Sequence, residues 1–166
     1  MLLILFWLGM IPESERVRKN IKSLKLKRLD HIAIVVKSIK DASKYFSELL
    51  DFEVKSITKS DVTGDRYCAM VKNNIVLELV EVSNRSPLHK AGKIRKGLNH
   101  IAYTVENIEE ALEELKKAGG QILAETITHG KIKFNYVKLK DELILEVMEI
   151  PKEYEYAYQV PPGASS

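Results

Sequence analysis

Four side chains with metal-binding chemistry occur at matching positions in the sequence. His31 is followed by Glu78, and His100 is followed by Glu146 after a stretch of chain that is only one residue shorter. Imidazole nitrogens and carboxylate oxygens together bind Zn, Ni, Co, Mn or Fe(II), and these residue types alone do not select one metal. The matched spacing therefore predicts one divalent-metal site built from all four residues. The open alternative is that each histidine is an ordinary structural side chain and each glutamate protects an edge strand.

The four residues belong to an internal repeat. The stretch LDHIAIVVKSIKDASKYF at 29–46 aligns with LNHIAYTVENIEEALEEL at 98–115, and VLELV at 76–80 aligns with ILEVM at 144–148 at nearly the same offset. Such a repeat indicates two copies of one supersecondary unit. We predict modules at 28–83 and 97–150 that form one domain over 28–150, preceded by an extension at 1–27 and followed by a tail at 151–166.

Each module is predicted to fold as βαβββ. Alternating apolar residues at 29–36 and 98–105 are typical of half-buried strands, and apolar residues at helical spacing follow each of them. Three further strands complete each module, near 52–58, 66–72 and 75–82 in the first and near 121–126, 131–139 and 143–149 in the second. The predicted fold class is α+β: two tandem βαβββ modules form a paired, barrel-like sheet that faces inward, with helices outside.

Strand alternation predicts that the four polar side chains face the same interior. His31 and His100 lie on the strand rows opposite to those that pack on the helices, while Glu78 and Glu146 lie in otherwise apolar rows. Burying an unpaired carboxylate costs roughly several kcal/mol, so both glutamates need partners. A shared cation satisfies the histidines and the glutamates together.

Composition restricts the other functions. The chain has 166 residues and a net charge of +3, and basic side chains are in excess in residues 11–28. Because no aromatic residue accompanies these charges, we predict no nucleic-acid binding. The single Cys68 excludes an intrachain disulfide and a cysteine zinc site, which fits a reducing, cytoplasmic location. The first eleven residues are uncharged but reach only about 17 Å as a helix, against roughly 30 Å for a bilayer core, so no membrane span is predicted.

The repeated motifs resemble the vicinal oxygen chelate superfamily of glyoxalases, bleomycin resistance proteins and dioxygenases. The resemblance rests on LDHIAIVV, VLELVE, SPLHK followed by GLNHIAYTVENIEEALEELKKAG, HGKIKFNYV and LILEVME, and it covers about residues 28–150. Within the superfamily, the chain most resembles the methylmalonyl-CoA epimerases.

This resemblance implies that His31, Glu78, His100 and Glu146 bind one divalent ion (Co, Ni, Zn or Mn). It also implies that a coenzyme A thioester or another thiol conjugate is the substrate, that Glu146 transfers the α-proton, and that the protein is a homodimer. Tyr67 lies three residues after Gly64, where some family epimerases carry a glutamate base. We therefore take Tyr67 as a candidate substrate contact.

His129 and His89 have no repeat partner and are interpreted as loop residues, and His129 is a second candidate substrate contact. Two alternatives to an epimerase remain open. One is a lactoylglutathione lyase of the glyoxalase I type that uses the same four ligands. The other is a small-molecule-binding relative without enzymatic activity.

Overall fold

The computed structural model describes residues 24–61, 63–86 and 95–154, and in that part of the chain it contains two α-helices, nine strands and two 3-10 turns at Lys140–Glu142 and Lys152–Tyr154. The first module consists of β1 (Arg28–Val36), α1 (Ile39–Leu50), β2 (Glu53–Lys59), β3 (Arg66–Lys72) and β4 (Ile75–Glu81). The second consists of β5 (Gly97–Val105), α2 (Ile108–Lys117), β6 (Gln121–Ile122), β7 (Ile127–His129), β8 (Ile132–Lys138) and β9 (Ile144–Glu149).

Both helices begin at capping residues at equivalent places in the repeat. The side chain of Ser38 accepts a hydrogen bond from the Asp41 amide, and that of Asn107 accepts one from the Glu110 amide. Each cap satisfies one of the free amides at a helix N-terminus. After α2, Gly119 adopts a φ of +88°, which a residue without a Cβ adopts readily, and the chain turns away from the helix there.

The strands form one sheet in the order β2-β3-β4-β1-β5-β9-β8-β6, with β7 also paired to β8, and the sheet curls into a half-barrel. Within each module the first strand runs parallel to the last, β1 beside β4 and β5 beside β9. The modules join through the antiparallel pair β1 and β5. The α+β prediction with paired modules is therefore confirmed, and the pairing occurs within one chain.

The core lies between the sheet and the helices. Ile39 of α1 packs with Met70 and Leu79, and partly buried Ile32 and Ile34 contact the same cluster. In the second module an equivalent cluster surrounds α2 and contains these residues: Val105, Ile108, Ala111, Leu112, Leu115, Val137, Leu145 and Val147. The helix-facing rows of the first strands thus pack against the two clusters, which leaves His31 and His100 on the other face of the sheet.

The structure departs from the predicted elements near residues 121–126. The segment forms two short strands instead of one. Gln121–Ile122 pairs with β8, and the chain then leaves the sheet. Ile127–His129 pairs with β8 again, in a register shifted by two residues from that of Gln121–Ile122. The side-chain Nδ2 of Asn135 donates to the Ala124 carbonyl and contacts the Thr126 hydroxyl. These side-chain contacts replace backbone pairing in the segment between the two short strands.

The segment just before β1 bears on the predicted boundary at residue 27. Leu24 packs against the core of the second module, and the Lys27 amide donates to the Thr104 carbonyl. We therefore propose that the domain begins at about residue 24 rather than at residue 28. The apolar run at 1–11, most of the basic segment and His89 lie outside the described residues. Within the described ranges, no helix has the length and apolar character needed to cross a membrane.

Candidate metal centre

The seam between the two modules brings the four predicted ligands together. Across this seam His31 is paired with Ala102 and Ala33 with His100, on either side of the central pair Ile32 and Ile101. The flanking parallel strands complete the arrangement, because Ala33 is next to Glu78 and Ala102 is next to Glu146. The histidines and glutamates are thus related by a pseudo-twofold axis through the seam.

The polar atoms of the other three side chains lie around Nε2 of His31. The Nε2 atoms of His31 and His100 lie 3.2 Å apart, and Glu146 Oε2 lies 3.3 Å from the first and 2.8 Å from the second. Glu78 Oε2 lies 3.6 Å from His31 Nε2. Apart from the partly exposed Glu78, these residues are buried.

This donor set has the geometry of a cation site. Atoms that bind one transition-metal ion at about 2.0–2.2 Å lie roughly 3 Å from each other at neighbouring coordination positions. One ring nitrogen of each histidine and one carboxylate oxygen of Glu78 lie within 4.8 Å of one another, and Glu146 Oε2 contacts both imidazoles. Two imidazoles and two carboxylates suit Zn, Ni, Co or Mn. The residues present therefore fit the metal that the sequence pattern implies.

Two alanines make room for the cluster. Ala33 and Ala102 are fully buried and occupy equivalent positions in the repeat, each beside one histidine and one glutamate on neighbouring strands. A larger side chain at either position would project into the space where the ligands meet, because residues that pair across strands share a face. Both alanines lie in the aligned HIA motifs, so a sequence signal for them existed.

The electrostatics of the cluster favour positive charge at its centre. Burial acts to lower the pKa of His31, but hydrogen bonds to Asp30 and Glu146 and the charge of Glu78 outweigh it and raise that pKa to about 10. Burial likewise acts to raise the pKa of Glu146, yet the hydrogen bonds from the two histidines lower it to about 2. In the metal-free protein a proton on His31 thus supplies charge that a cation would supply.

The two carboxylates have different environments. The Glu146 side chain is only 4% exposed and is held by both imidazoles, whereas the Glu78 side chain is 27% exposed. Burial raises the pKa of Glu78, and the neighbouring Glu146 charge adds to that effect while His31 opposes it. Glu146 is therefore the more constrained ligand candidate, and Glu78 is the one that solvent reaches.

The structure places the two candidate substrate contacts differently. Tyr67 packs against Ala33, Val35 and Val80 on the inner face of the sheet, and burial together with the charges of Asp65 and Glu78 raises its pKa to about 12. His129 is exposed at the end of β7. Its strand partner, Ile132, lies four residues before Tyr136, the β8 residue that pairs with Glu146. Four residues of strand span about 13 Å.

Tyr136 is a site residue that the sequence analysis missed. It lies directly opposite Glu146 in the β8–β9 ladder, and its ring contacts that of His100 edge-on with centroids 5.2 Å apart. Burial and the Glu146 charge raise the pKa of Tyr136, so it remains a hydrogen-bond donor. An alignment of β8 with β9 that places Tyr136 opposite Glu146 would have identified Tyr136 as a site residue.

A second pair of glutamates has a structural role. Glu81 accepts a hydrogen bond from the Ile39 amide at 2.7 Å, and Glu149 accepts one from the Ile108 amide at 3.0 Å. Each lies three residues after a ligand candidate, on the opposite face of the strand, and stabilises a helix N-terminus. These two glutamates also occupy equivalent positions in the two modules, so each copy of the repeat provides one carboxylate for the interior and one for the helix.

Comparisons with known proteins agree with this architecture. The chain is 31% identical over 114 residues to human mitochondrial methylmalonyl-CoA epimerase, and this match covers 64% of each protein, so the chain spans less than two thirds of that relative. It is 32% identical over 101 residues to the ethylmalonyl-CoA/methylmalonyl-CoA epimerase of Cereibacter sphaeroides, covering 58% of this chain and 74% of the relative.

Solved structures share the fold. The Streptomyces coelicolor methylmalonyl-CoA epimerase in complex with 2-nitronate-propionyl-CoA superposes with a TM-score of 0.64 at 20% identity, covering 75% of this chain and 98% of that one. The sequence signature of the glyoxalase/bleomycin resistance protein/dioxygenase superfamily matches residues 30–136. The chain therefore belongs to the glyoxalase/bleomycin resistance protein/dioxygenase superfamily.

Proposed function

We propose that the protein is a divalent-metal-dependent epimerase that transfers the α-proton of a coenzyme A thioester, as a methylmalonyl-CoA epimerase does. The observation that carries this proposal is the convergence of two imidazoles and two carboxylates on the inner face of the sheet. The similarity to methylmalonyl-CoA epimerases supports the choice of substrate. The bound 2-nitronate-propionyl-CoA of the Streptomyces relative supports an acyl-CoA thioester rather than a free acid.

The proposed site holds its cofactor through His31, Glu78, His100 and Glu146. A divalent ion bound there supplies a Lewis acid that lowers the energy of negative charge on the thioester oxygen when the α-proton leaves. The protein residues fix the position of the thioester and keep the two carboxylates beside its α-carbon. Tyr67, on the inner face, is proposed to line the acyl group, and His129 is proposed to contact a more distant part of the substrate.

Epimerisation needs a proton removed from one face of the α-carbon and a proton delivered to the other. We assign Glu146 to one face, as a carboxylate that accepts or returns a proton. Glu78 is its partner across the pseudo-twofold axis and projects from the other module, so we assign it to the opposite face. The α C–H bond breaks with its proton passing to the oxygen of one carboxylate that does not hold the ion, and the new C–H bond forms with a proton that the other carboxylate already carries on its corresponding oxygen. Tyr136 pairs with Glu146 across β8 and β9 and packs on His100, and it limits the positions that these two side chains can take.

The subunit arrangement and location are also proposals. Both modules of one chain supply ligands to one centre, so the proposed homodimer would contain two independent sites. We retain the cytoplasmic assignment on the basis of cysteine usage alone. Light scattering of the purified protein tests the dimer, and fractionation of the source cells tests the location.

Solvent exchange tests the proposed reaction. We expect metal-loaded protein in D₂O to incorporate deuterium at the α-carbon of methylmalonyl-CoA, and chelation to stop the incorporation. Glu149→Gln is a matched control, because that carboxylate contacts helix α2 rather than the cluster, and it should exchange at the wild-type rate. A metal-replete sample that shows no exchange refutes the epimerase, and isomerisation of a glutathione hemithioacetal by that sample would identify the glyoxalase-type lyase instead.

A further inference from the structure

Each histidine of the metal centre has a hydrogen-bond partner on its other ring nitrogen. His31 Nδ1 lies 3.0 Å from Asp30 Oδ2, and His100 Nδ1 lies 2.9 Å from Asn99 Oδ1. Both partners are oxygen acceptors, so each imidazole donates from Nδ1. With the proton on Nδ1, the Nε2 atoms, which face each other 3.2 Å apart, can bind a metal ion in place of the contacts that they make with Glu146 in the metal-free protein.

The partners occupy irregular positions in the sheet. Pairing between β1 and β5 shifts between Leu29 and His31, and it shifts again opposite Asn99, between the pairs Ala33–His100 and Ile34–Leu98. Asp30 and Asn99 are therefore the extra residues of two β-bulges, and they align with each other in the repeat. In a regular strand, neighbouring side chains point to opposite faces, and a bulge redirects a side chain.

We propose that Asp30 and Asn99 are positioning residues that hold the imidazoles of His31 and His100 with Nε2 directed at the divalent ion. The proposal rests on the proposed function, because it presupposes the metal site. The bulges provide the required geometry, because they let the side chain of the residue just before each histidine reach the ring of that histidine. Such outer hydrogen bonds fix the ring orientation and the tautomer of a metal-binding histidine.

The two positions are not chemically equal. Asp30 has a carboxylate that also accepts a hydrogen bond from Arg28 Nη2 at 2.8 Å, so its second oxygen is held toward His31. Asn99 presents a neutral amide oxygen to His100. A carboxylate acceptor increases the basicity of the imidazole more than an amide does. We therefore expect His31 to be the stronger ligand of the pair.

Metal affinity separates this role from a purely structural one. Zn²⁺ affinity of the full chain, measured by competition with a chromophoric chelator, should fall about 10- to 100-fold in Asp30→Ala and in Asn99→Ala. Asp30→Asn should restore most of the affinity lost in Asp30→Ala, because the amide oxygen still accepts. Asp41→Ala removes an exposed helix carboxylate and should bind Zn²⁺ like wild type.

A spectroscopic readout covers the case in which an alanine variant does not fold. In ¹⁵N-labelled, Zn²⁺-loaded wild-type protein, both ligand histidines should show a protonated Nδ1 with a slowly exchanging proton, and Asp30→Asn should shift only the His31 resonance. Wild-type protein that binds Zn²⁺ but shows Nε2 protonation, or folded variants within twofold of its affinity, would overturn the positioning role and leave the proposed function intact. Wild-type protein that binds no divalent ion would refute both.

Discussion

The metal-free protein should lose stability as the pH rises above neutrality, because a proton on His31 replaces the missing cation. Burial acts against that proton, but Asp30, Glu146 and Glu78 outweigh burial and hold the pKa of His31 near 10, against 6.5 in the unfolded chain. A folded-state pKa above the unfolded one means that the contribution is complete below pH 6.5 and is lost progressively as the pH rises toward 10.

The size of the effect follows from this difference. Each pH unit between the two pKa values is worth about 1.4 kcal/mol, so the free energy of unfolding should fall by about 2 kcal/mol between pH 6.5 and 8. Urea unfolding followed by circular dichroism, with chelator present throughout, measures the change. The same experiment on His31→Gln should give a nearly flat profile over this range. Equal pH dependence in wild type and His31→Gln would refute the reasoning, as would a wild-type stability that rises with pH.

Three further predictions concern different parts of the molecule. Deleting residues 1–23, which leaves Leu24 in the core, should change metal stoichiometry and turnover little; loss of turnover by a folded, metal-loaded truncation would assign that segment to the site or its interface. Ala102→Leu should weaken Zn²⁺ binding at least tenfold and destabilise the fold by about 1–3 kcal/mol, since the position is fully buried beside two ligands; wild-type affinity would contradict the packing argument. Glu149→Ala should lower the free energy of unfolding by about 1–2 kcal/mol with unchanged metal affinity, and a loss of metal would place this carboxylate in the centre instead.

The sequence predicted the fold and the convergence of the ligand candidates because both depend on local patterns. Successive side chains of a strand point to opposite faces, so the alternation of apolar residues indicates which side chains face the interior. The internal repeat gives the same assignment in both modules. His31 and His100 could therefore be assigned to the interior without knowledge of their neighbours. The two glutamates were predicted to need a cationic partner because burying an unpaired charge in an apolar row is unfavourable.

The features that were missed depend on pairing between strands. Tyr136 meets Glu146 only because β8 and β9 align in one particular register, and the strand sequence by itself does not specify that register. The bulges at Asp30 and Asn99 have the same origin, because a bulge is defined by its partner strand. Near residue 124, a side-chain hydrogen bond from Asn135 interrupts a segment whose composition favours a continuous strand.

The first helix shows a related limit. Tyr45 and Leu49 belong to the helically spaced apolar residues that follow β1, yet they are 59% and 60% exposed, while Ile39 on the same helix is fully buried. Periodicity identifies an amphipathic helix, but the width of the face that is covered depends on how far the sheet extends beneath it. The edge strand β2 leaves the outer part of that face uncovered among the described residues.

Anomalous diffraction from crystals of the Co²⁺-loaded protein tests the central claim most directly. We predict one ion per chain, at about 2.0–2.3 Å from Nε2 of His31, Nε2 of His100 and carboxylate oxygens of Glu78 and Glu146, all four from the same chain. An ion bound elsewhere, or a cluster of these four residues that stays free of metal at saturating Co²⁺, would contradict the account.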